Sequence, residues 1–217
     1  MTALTVQKHN PQRVNVSLDG EFAFGLARIV AAWLEIGQEL SDEKIAQLQA
    51  EDGREVAYQR ALKLLNYRIR SEAEIRKNLK DHDVAEENIE HVIERLKRSG
   101  LLDDRAFAQT WVENRSGMRP RSRRALAYEL SQRGIDSQVI EQSLEGVNED
   151  ALAYQAAQKR SRKLQSADWN DFRTKMYRFL AQRGFQYDTI RDVTARIWAE
   201  ITDANNALEE EEEEVSQ

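Results

Sequence analysis

Gln132-Arg133-Gly134-Ile135 returns fifty residues later as Gln182-Arg183-Gly184-Phe185. Apolar residues on either side keep the same step, so that Leu126 corresponds to Met176 and Leu130 to Leu180. A third copy lies upstream at an offset of 51, with the apolar residues Ile75, Leu79, Val84 and Ile89. Self-similarity at a fixed period of this length predicts an array of helical repeats. Such arrays usually bind large partners along an extended face.

The composition favours helices and argues against several classes of protein. The 217 residues include only two prolines and nine glycines, which is typical of long helices. There is no cysteine, so disulfides, thiol nucleophiles and cysteine metal sites are excluded, as fits a cytoplasmic protein. A basic-then-apolar leader and an apolar run of about eighteen residues are both missing. Neither secretion nor a membrane span is therefore expected.

Charge is segregated along the chain. The net charge is −6, and the acidic run Glu209–Glu214 alone accounts for it. Residues 35–55 are mainly acidic, whereas residues 115–133 and 159–183 are strongly basic. Two basic segments in an otherwise neutral body predict an anionic partner, and the acidic tail is expected to compete with that partner for the same surface.

The order of patterns predicts a mainly α fold that begins with a small β-hairpin or meander. Alternating apolar residues around Asp19-Gly20 indicate strands, and from Ala27 onward the period changes to that of a helix. Tandem three-helix units, similar to helix-turn-helix domains, are then expected in an elongated array. The predicted boundaries are 1–50 for the β region with its helix, 51–104, 105–150 and 151–203 for the three repeats, and 204–217 for a disordered acidic tail.

Catalytic chemistry has little support in the sequence. The three histidines are scattered, and no glycine-rich phosphate loop or metalloprotease motif occurs. We therefore predict a protein that is not an enzyme and has neither a cofactor nor a metal site. The tryptophans fall among apolar residues at helical spacing and are predicted to pack in cores rather than stack on bases: Trp33, Trp111, Trp169 and Trp198.

An arginine cluster around Pro120 is the strongest functional signal. The cluster lies where two predicted helices meet, and only Glu113 and Glu129 are nearby acids. Positive charge at a helix N-terminus opposes the macrodipole, so an anionic partner is expected to balance it, although a solvated face is the plainer reading. Tyr128 lies off the apolar stripe and is predicted to be exposed. The candidate binding residues are Arg115, Arg119, Arg121, Arg123, Arg124, Tyr128, Arg133, Lys159, Arg160, Arg162 and Lys163.

These residues give the chain a resemblance to the RecX family, the regulators of the RecA recombinase. The resemblance covers roughly residues 1–200. It is carried by Leu18-Asp-Gly-Glu-Phe-Ala-Phe-Gly25, Arg68-Ile-Arg-Ser-Glu-Ala-Glu-Ile-Arg76, Leu96-Lys-Arg-Ser-Gly-Leu-Leu-Asp-Asp-Arg-Ala-Phe-Ala108, Arg119-Pro-Arg-Ser and Glu129-Leu-Ser-Gln-Arg-Gly-Ile135. It implies a non-enzymatic monomer that binds RecA filaments, and single- and double-stranded DNA without sequence preference. It also implies inhibition of RecA ATPase and strand exchange in recombination and repair.

Two other functions remain open on the sequence alone. Three-helix units with arginine-rich helices also occur in sequence-specific DNA-binding regulators. A recognition helix should combine arginine with base-reading amides, and the helix predicted over residues 120–132 has only Gln132. A helical-repeat scaffold for protein partners is the third alternative, and it predicts no salt-dependent binding to DNA.

Overall fold

The computed structural model describes the backbone of residues 1–215 and the side chains of residues 1–204 and 206. The chain divides into two compact units, the first ending at Asp103 and the second beginning at Asp104. In the described residues, no helix is both long enough and apolar enough to cross a membrane. The mainly α architecture with a small N-terminal sheet confirms the predicted fold class.

The N-terminal sheet is an antiparallel meander in the order β1-β2-β3. Its strands are β1 (Ala3–Gln7), β2 (Asn10–Leu18) and β3 (Glu21–Ala27). Asp19 and Gly20 join β2 to β3 with positive φ angles of 51° and 89°, the conformation that a two-residue hairpin needs. One face of the sheet buries a small core that includes Val16 and Leu26.

The prediction of a helix directly after the sheet is wrong. Only a three-residue 3-10 helix forms there, Ala31–Trp33, and the backbone is already extended at Leu34, with a ψ of 136°. The left-handed Gly37 then donates its backbone N–H to the Met1 carbonyl at 2.9 Å. Val30 and Leu34 pack against the sheet core, but Trp33 is 89% exposed. The core position predicted for Trp33 is therefore also wrong.

The first unit continues through three helices: α1 (Asp42–Tyr67), α2 (Glu72–Lys80) and α3 (Glu86–Arg98). Ser41 starts α1 by accepting the Lys44 backbone N–H, and Ser71 starts α2 by accepting that of Glu74. The boundary predicted between residues 50 and 51 falls inside α1. A continuous helix thus links the sheet core to the separate core of the first repeat.

The second unit holds the second and third repeats, which share one core. Its helices are α4 (Asp104–Met118), α5 (Arg123–Ser131), α6 (Ser137–Leu144), α7 (Glu149–Ser161), α8 (Trp169–Ala181) and α9 (Tyr187–Val215). Trp111, Trp169 and Trp198 pack against that core, as their helical spacing predicts. Neighbouring repeats stack here because a three-helix unit of about 45 residues buries too little apolar surface alone.

Each repeat turns after its second helix at a residue with positive φ: Asp83, Gly134 or Gly184. These are equivalent positions of the three copies, so the repeated Arg-Gly dipeptide marks a backbone requirement. At Gly184 a Cβ atom would lie 2.6 Å from the Ser122 hydroxyl oxygen. The Ser122 backbone N–H donates to the Arg183 carbonyl at 3.1 Å, and the second and third repeats therefore meet backbone to backbone.

The predicted disorder from residue 204 onward differs from the structure. The backbone of α9 continues as helix through this segment as far as Val215. Glutamate has a high helix propensity, which favours propagation of an existing helix. The side chains of the acidic run 209–214 lie outside the described residues.

Candidate anion-binding surface

Glu129 organises the first group of predicted arginines. Its carboxylate accepts hydrogen bonds from Trp111 Nε1 and Arg115 Nε, each at 2.9 Å, and forms a salt bridge with Arg121 Nε at 3.1 Å. The Glu129 side chain is only 14% exposed. Arg115 and Arg121 therefore neutralise a half-buried carboxylate. The dense cluster contains more ion pairing than the sequence indicates, because Glu129 on α5 reaches both α4 and the segment before α5.

Arg133 has a packing role. Its guanidinium carbon lies 3.8 Å from the centroid of the Trp111 ring, and that of Arg115 lies 4.6 Å from the same ring. Cation–π contacts of this kind stabilise the helix pair that carries them. Arg115, Arg121 and Arg133 thus form one structural group around Trp111 and Glu129.

Arg119, Arg123 and Arg124 are exposed and form no salt bridge within the part of the chain that the structure describes. Arg123 donates from Nη1 to the Val147 carbonyl at 3.3 Å, an interaction that leaves its charge uncompensated. Ser122 caps α5 by accepting the Ala125 backbone N–H at 3.1 Å, so the helix begins with two arginines immediately after the cap. Positive charge in this first turn opposes the helix dipole.

The second basic run belongs to the end of α7. Lys159 Nζ donates to the Gly117 carbonyl at 2.7 Å, and this bond places α7 beside the C-terminal end of α4. Arg162 and Lys163 are exposed. Arg160 is half-buried, and its Nε has no hydrogen-bond partner in the described structure.

Arg183 was missed by the sequence prediction. It is the copy of Arg133 in the third repeat, and its guanidinium carbon lies 3.6 Å from the centroid of the Phe179 ring. The repetition of Gln-Arg-Gly was the available signal. Both arginines cover an aromatic ring, which is Trp111 on α4 for Arg133 and Phe179 on α8 for Arg183. Burial lowers the pKa of Arg183, and the positive charges of Arg121, Arg160 and Arg119 lower it further.

The two basic segments thus converge within the second unit. The positive charges of Arg119, Arg121 and Arg160, which come from segments far apart in sequence, all lower the pKa of Arg183. Tyr128 is 66% exposed on α5, as predicted. The basic surface is defined here as Arg119, Arg123, Arg124, Lys159, Arg160, Arg162, Lys163 and Arg183.

Metal binding finds no matching group of ligands. Within the described residues, no three His, Cys, Asp or Glu side chains are grouped to hold an ion. A cavity of about 700 Å³ belongs to the first unit and lies between the sheet and α1, with Arg28, Arg60 and Lys63 among its lining residues. That cavity contains none of the residues predicted from the sequence.

Comparison with known proteins finds matches to family models along most of the chain. Four family models match it: the Regulatory protein RecX N-terminal domain over residues 1–41 and the first, second and third RecX three-helix domains over residues 57–96, 103–144 and 148–194. The matches follow the sheet and the three repeats in order.

Similar proteins carry the same description. "Regulatory protein RecX" of Clostridium botulinum (strain Alaska E43 / Type E3) is 32% identical over 202 residues, covering 89% of this chain and 93% of that protein. The Chlorobium phaeobacteroides (strain BS1) protein of the same name is 37% identical, covering 65% and 93%. A crystal structure of regulatory protein RecX superposes with a TM-score of 0.69 at 28% identity, covering 89% of this chain and 98% of the other. The chain belongs to the RecX family of regulatory proteins.

Proposed function

We propose that this protein is a non-enzymatic monomer that binds RecA filaments and, without sequence preference, single- and double-stranded DNA. In doing so it lowers RecA ATPase activity and strand exchange. Membership of the RecX family supports RecA as the regulated partner. The basic surface of the second unit supports a polyanionic or acidic contact.

The observation that carries the proposal is the uncompensated charge of the basic surface. Arg119, Arg124 and Arg183 form no ion pair among the described residues. The carboxylate of Glu129 in the same unit contacts Arg115, Arg121 and Trp111 instead. Lysine and arginine side chains that release counterions from phosphates provide sequence-independent affinity for DNA. The same charges fit an acidic protein surface.

The composition of α5 favours binding without sequence preference. The exposed side chains of this helix are Arg123, Arg124, Tyr128 and Ser131, and none of them is an amide that reads adenine. A sequence-specific regulator is therefore the weaker alternative. A protein-binding scaffold is the other alternative, and it predicts no salt-dependent binding to DNA.

The direct experiment measures ATP hydrolysis by RecA on single-stranded DNA as this protein is added. We expect the hydrolysis rate and strand exchange to fall at substoichiometric amounts, because one bound molecule can block the growth of a filament. Hydrolysis by this protein alone is the control and should equal the buffer background. Unchanged RecA rates at equimolar protein would contradict the proposed function.

A further inference from the structure

Two arginines from different segments contact Phe179, and a third segment with two more arginines lies next to one of them. The guanidinium carbons of Arg183 and Arg160 lie 3.6 and 5.4 Å from the centroid of the Phe179 ring. The backbone bond between Ser122 and Arg183 brings the segment with Arg119 and Arg121 to the same place. We call Arg119, Arg121, Arg160 and Arg183 the Phe179 cluster.

The cluster is electrostatically incomplete. Arg160 Nε is buried from solvent and has no hydrogen-bond partner among the described residues. A buried donor without a partner destabilises a fold. Burial and three neighbouring positive charges lower the pKa of Arg183. The nearby carboxylate of Glu129 pairs with Arg121 of the cluster and also accepts from Trp111 and Arg115. Arg119, Arg160 and Arg183 form no salt bridge among the described residues.

The geometry distinguishes between two kinds of anion. A carboxylate is planar and suits one or two guanidinium groups, as Glu129 shows in this same unit. A phosphate group presents its oxygens tetrahedrally and accepts from donors that arrive from several directions. The Phe179 cluster draws its donors from the segment before α5, the end of α7 and the end of α8, and therefore matches a phosphate better.

We propose that the Phe179 cluster binds one phosphate group of a nucleic-acid backbone and that the bound phosphate fastens the second repeat to the third. The assignment of nucleic acid as its source rests on the proposed function. Two of the arginines belong to the second repeat and two to the third, so a shared anion links both. DNA binding and the rigidity of the second unit are consequently coupled.

Thermal unfolding in inorganic phosphate tests the site without DNA or RecA. Tryptophan fluorescence reports the second unit, because Trp111, Trp169 and Trp198 pack against its core whereas Trp33 is exposed in the first unit. A ligand that binds only the folded state raises Tm with its concentration. At equal ionic strength, we expect Tm to be several degrees higher in phosphate than in chloride.

Three variants separate the site from a general salt effect. Arg160→Gln and Arg119→Gln each remove one arginine of the cluster, and should abolish most of the phosphate-dependent rise. Arg119 is exposed, so its variant tests the proposal even if Arg160→Gln folds poorly. Arg173→Gln, an exposed arginine on α8 outside the cluster, should keep the full rise. An equal rise in all four proteins would overturn the proposed site.

Binding to a single-stranded oligonucleotide identifies the source of the phosphate. We expect Arg160→Gln to weaken DNA binding about fivefold at 0.1 M salt, the loss of one phosphate contact, while Arg173→Gln binds as the parent does. If phosphate raises Tm but Arg160→Gln binds DNA normally, the nucleic-acid source is overturned and the proposed DNA binding still stands. If no DNA binding occurs in any variant, the proposed function fails although the phosphate site remains.

Discussion

The first and second repeats share a backbone plan but treat their positive charges in opposite ways. In the first, α2 begins with the acidic Glu72, and Arg76 contacts Glu72 at 2.7 Å and Glu90 at 2.6 Å. In the second, the equivalent helix α5 begins with Arg123 and Arg124, whose guanidinium groups form no salt bridge among the described residues. The Arg123 backbone N–H alone meets a carboxylate, that of Glu149 at 3.4 Å. Each helix is capped by a buried serine, Ser71 or Ser122.

The difference shows that this fold does not require a particular charge at its second helix. A serine cap and an apolar stripe suffice to form α2 and α5 alike. The charge at the start of α5 therefore adds nothing to folding and, by the dipole argument, opposes it. The proposed anionic partner explains why the second repeat carries positive charge at the start of α5.

Removing the exposed arginines of the second repeat should have the largest effect. The triple variant Arg119→Gln, Arg123→Gln, Arg124→Gln loses up to three phosphate contacts and should flatten the log–log salt slope for single-stranded DNA by about 2. At 0.1 M salt this corresponds to about 100-fold weaker binding. A titration of oligonucleotide binding over several salt concentrations measures both quantities.

The matched control is a triple variant of the first repeat, Lys77→Gln, Lys80→Gln, Arg98→Gln. All three side chains are exposed, and the change of net charge is the same. We expect only a small loss of affinity from long-range electrostatics. Equal losses of DNA affinity in both triple variants would show that the arginines of the second repeat have no special role in binding.

Neutralising Glu129 should destabilise the second unit. Glu129→Gln weakens the hydrogen bonds from Trp111 and Arg115 and leaves Arg115 and Arg121 without their counter-charge, for a loss of about 2 kcal/mol. Urea unfolding followed by tryptophan fluorescence measures the loss. Glu90→Gln, at the exposed end of the first repeat's network, should change stability much less; a loss as large as that of Glu129→Gln would contradict this difference.

Acid should weaken the first repeat through Glu72. Burial by itself would raise the pKa of Glu72, but hydrogen bonds and charge from Lys97 and Arg76 outweigh it, and the pKa is lowered. A carboxyl group with a lowered pKa in the folded state stabilises above its unfolded pKa of about 4.3, and this stability disappears as pH falls through the folded value.

Glu72→Gln should therefore cost on the order of 1 kcal/mol at pH 7 and much less at pH 3. Urea unfolding followed by circular dichroism at the two pH values measures the difference. A cost that is the same at both would show that the ion pairs of Glu72 with Arg76 and Lys97 contribute no stability.

Deleting Leu208–Gln217 should have the smallest effect. The acidic run 209–214 carries six negative charges, and we expect it to compete with DNA for the basic surface. The truncated protein should bind DNA somewhat more tightly at low salt, and the difference should vanish as salt screens the charges. Equal affinities at every salt concentration would make the tail a bystander, and weaker binding would make it part of the interface.

The periodic parts of the fold could be predicted, whereas the segment between sheet and repeats could not. Apolar spacing and the Arg-Gly dipeptide specify local turns and helices, which depend on nearby residues. The segment that carries Trp33 instead turns extended at Leu34 and is tied to the distant Met1 through the backbone N–H of Gly37. Periodicity cannot report such a contact, and a helical stripe was inferred where three residues of 3-10 helix occur.

The candidate site was predictable as a charge pattern but not as a geometry. Composition alone identifies the two basic segments. Which arginine is paired and which is free depends on the reach of Glu129 between elements, and this required the structure. Arg183 was overlooked although it ends the second basic segment and its equivalence to Arg133 was already visible in the repeat.

Gly184 gives the joint between the second and third repeats an evolutionary consequence. Its φ of +86° disfavours any residue with a side chain, and the Ser122 hydroxyl fills the space that a methyl group would need. A lineage can exchange apolar residues in either repeat for others of similar volume. A lineage that replaced this glycine would have to move Ser122 and Ala125 of the second repeat away from it. Substitution at the joint is therefore more restricted than substitution in either core.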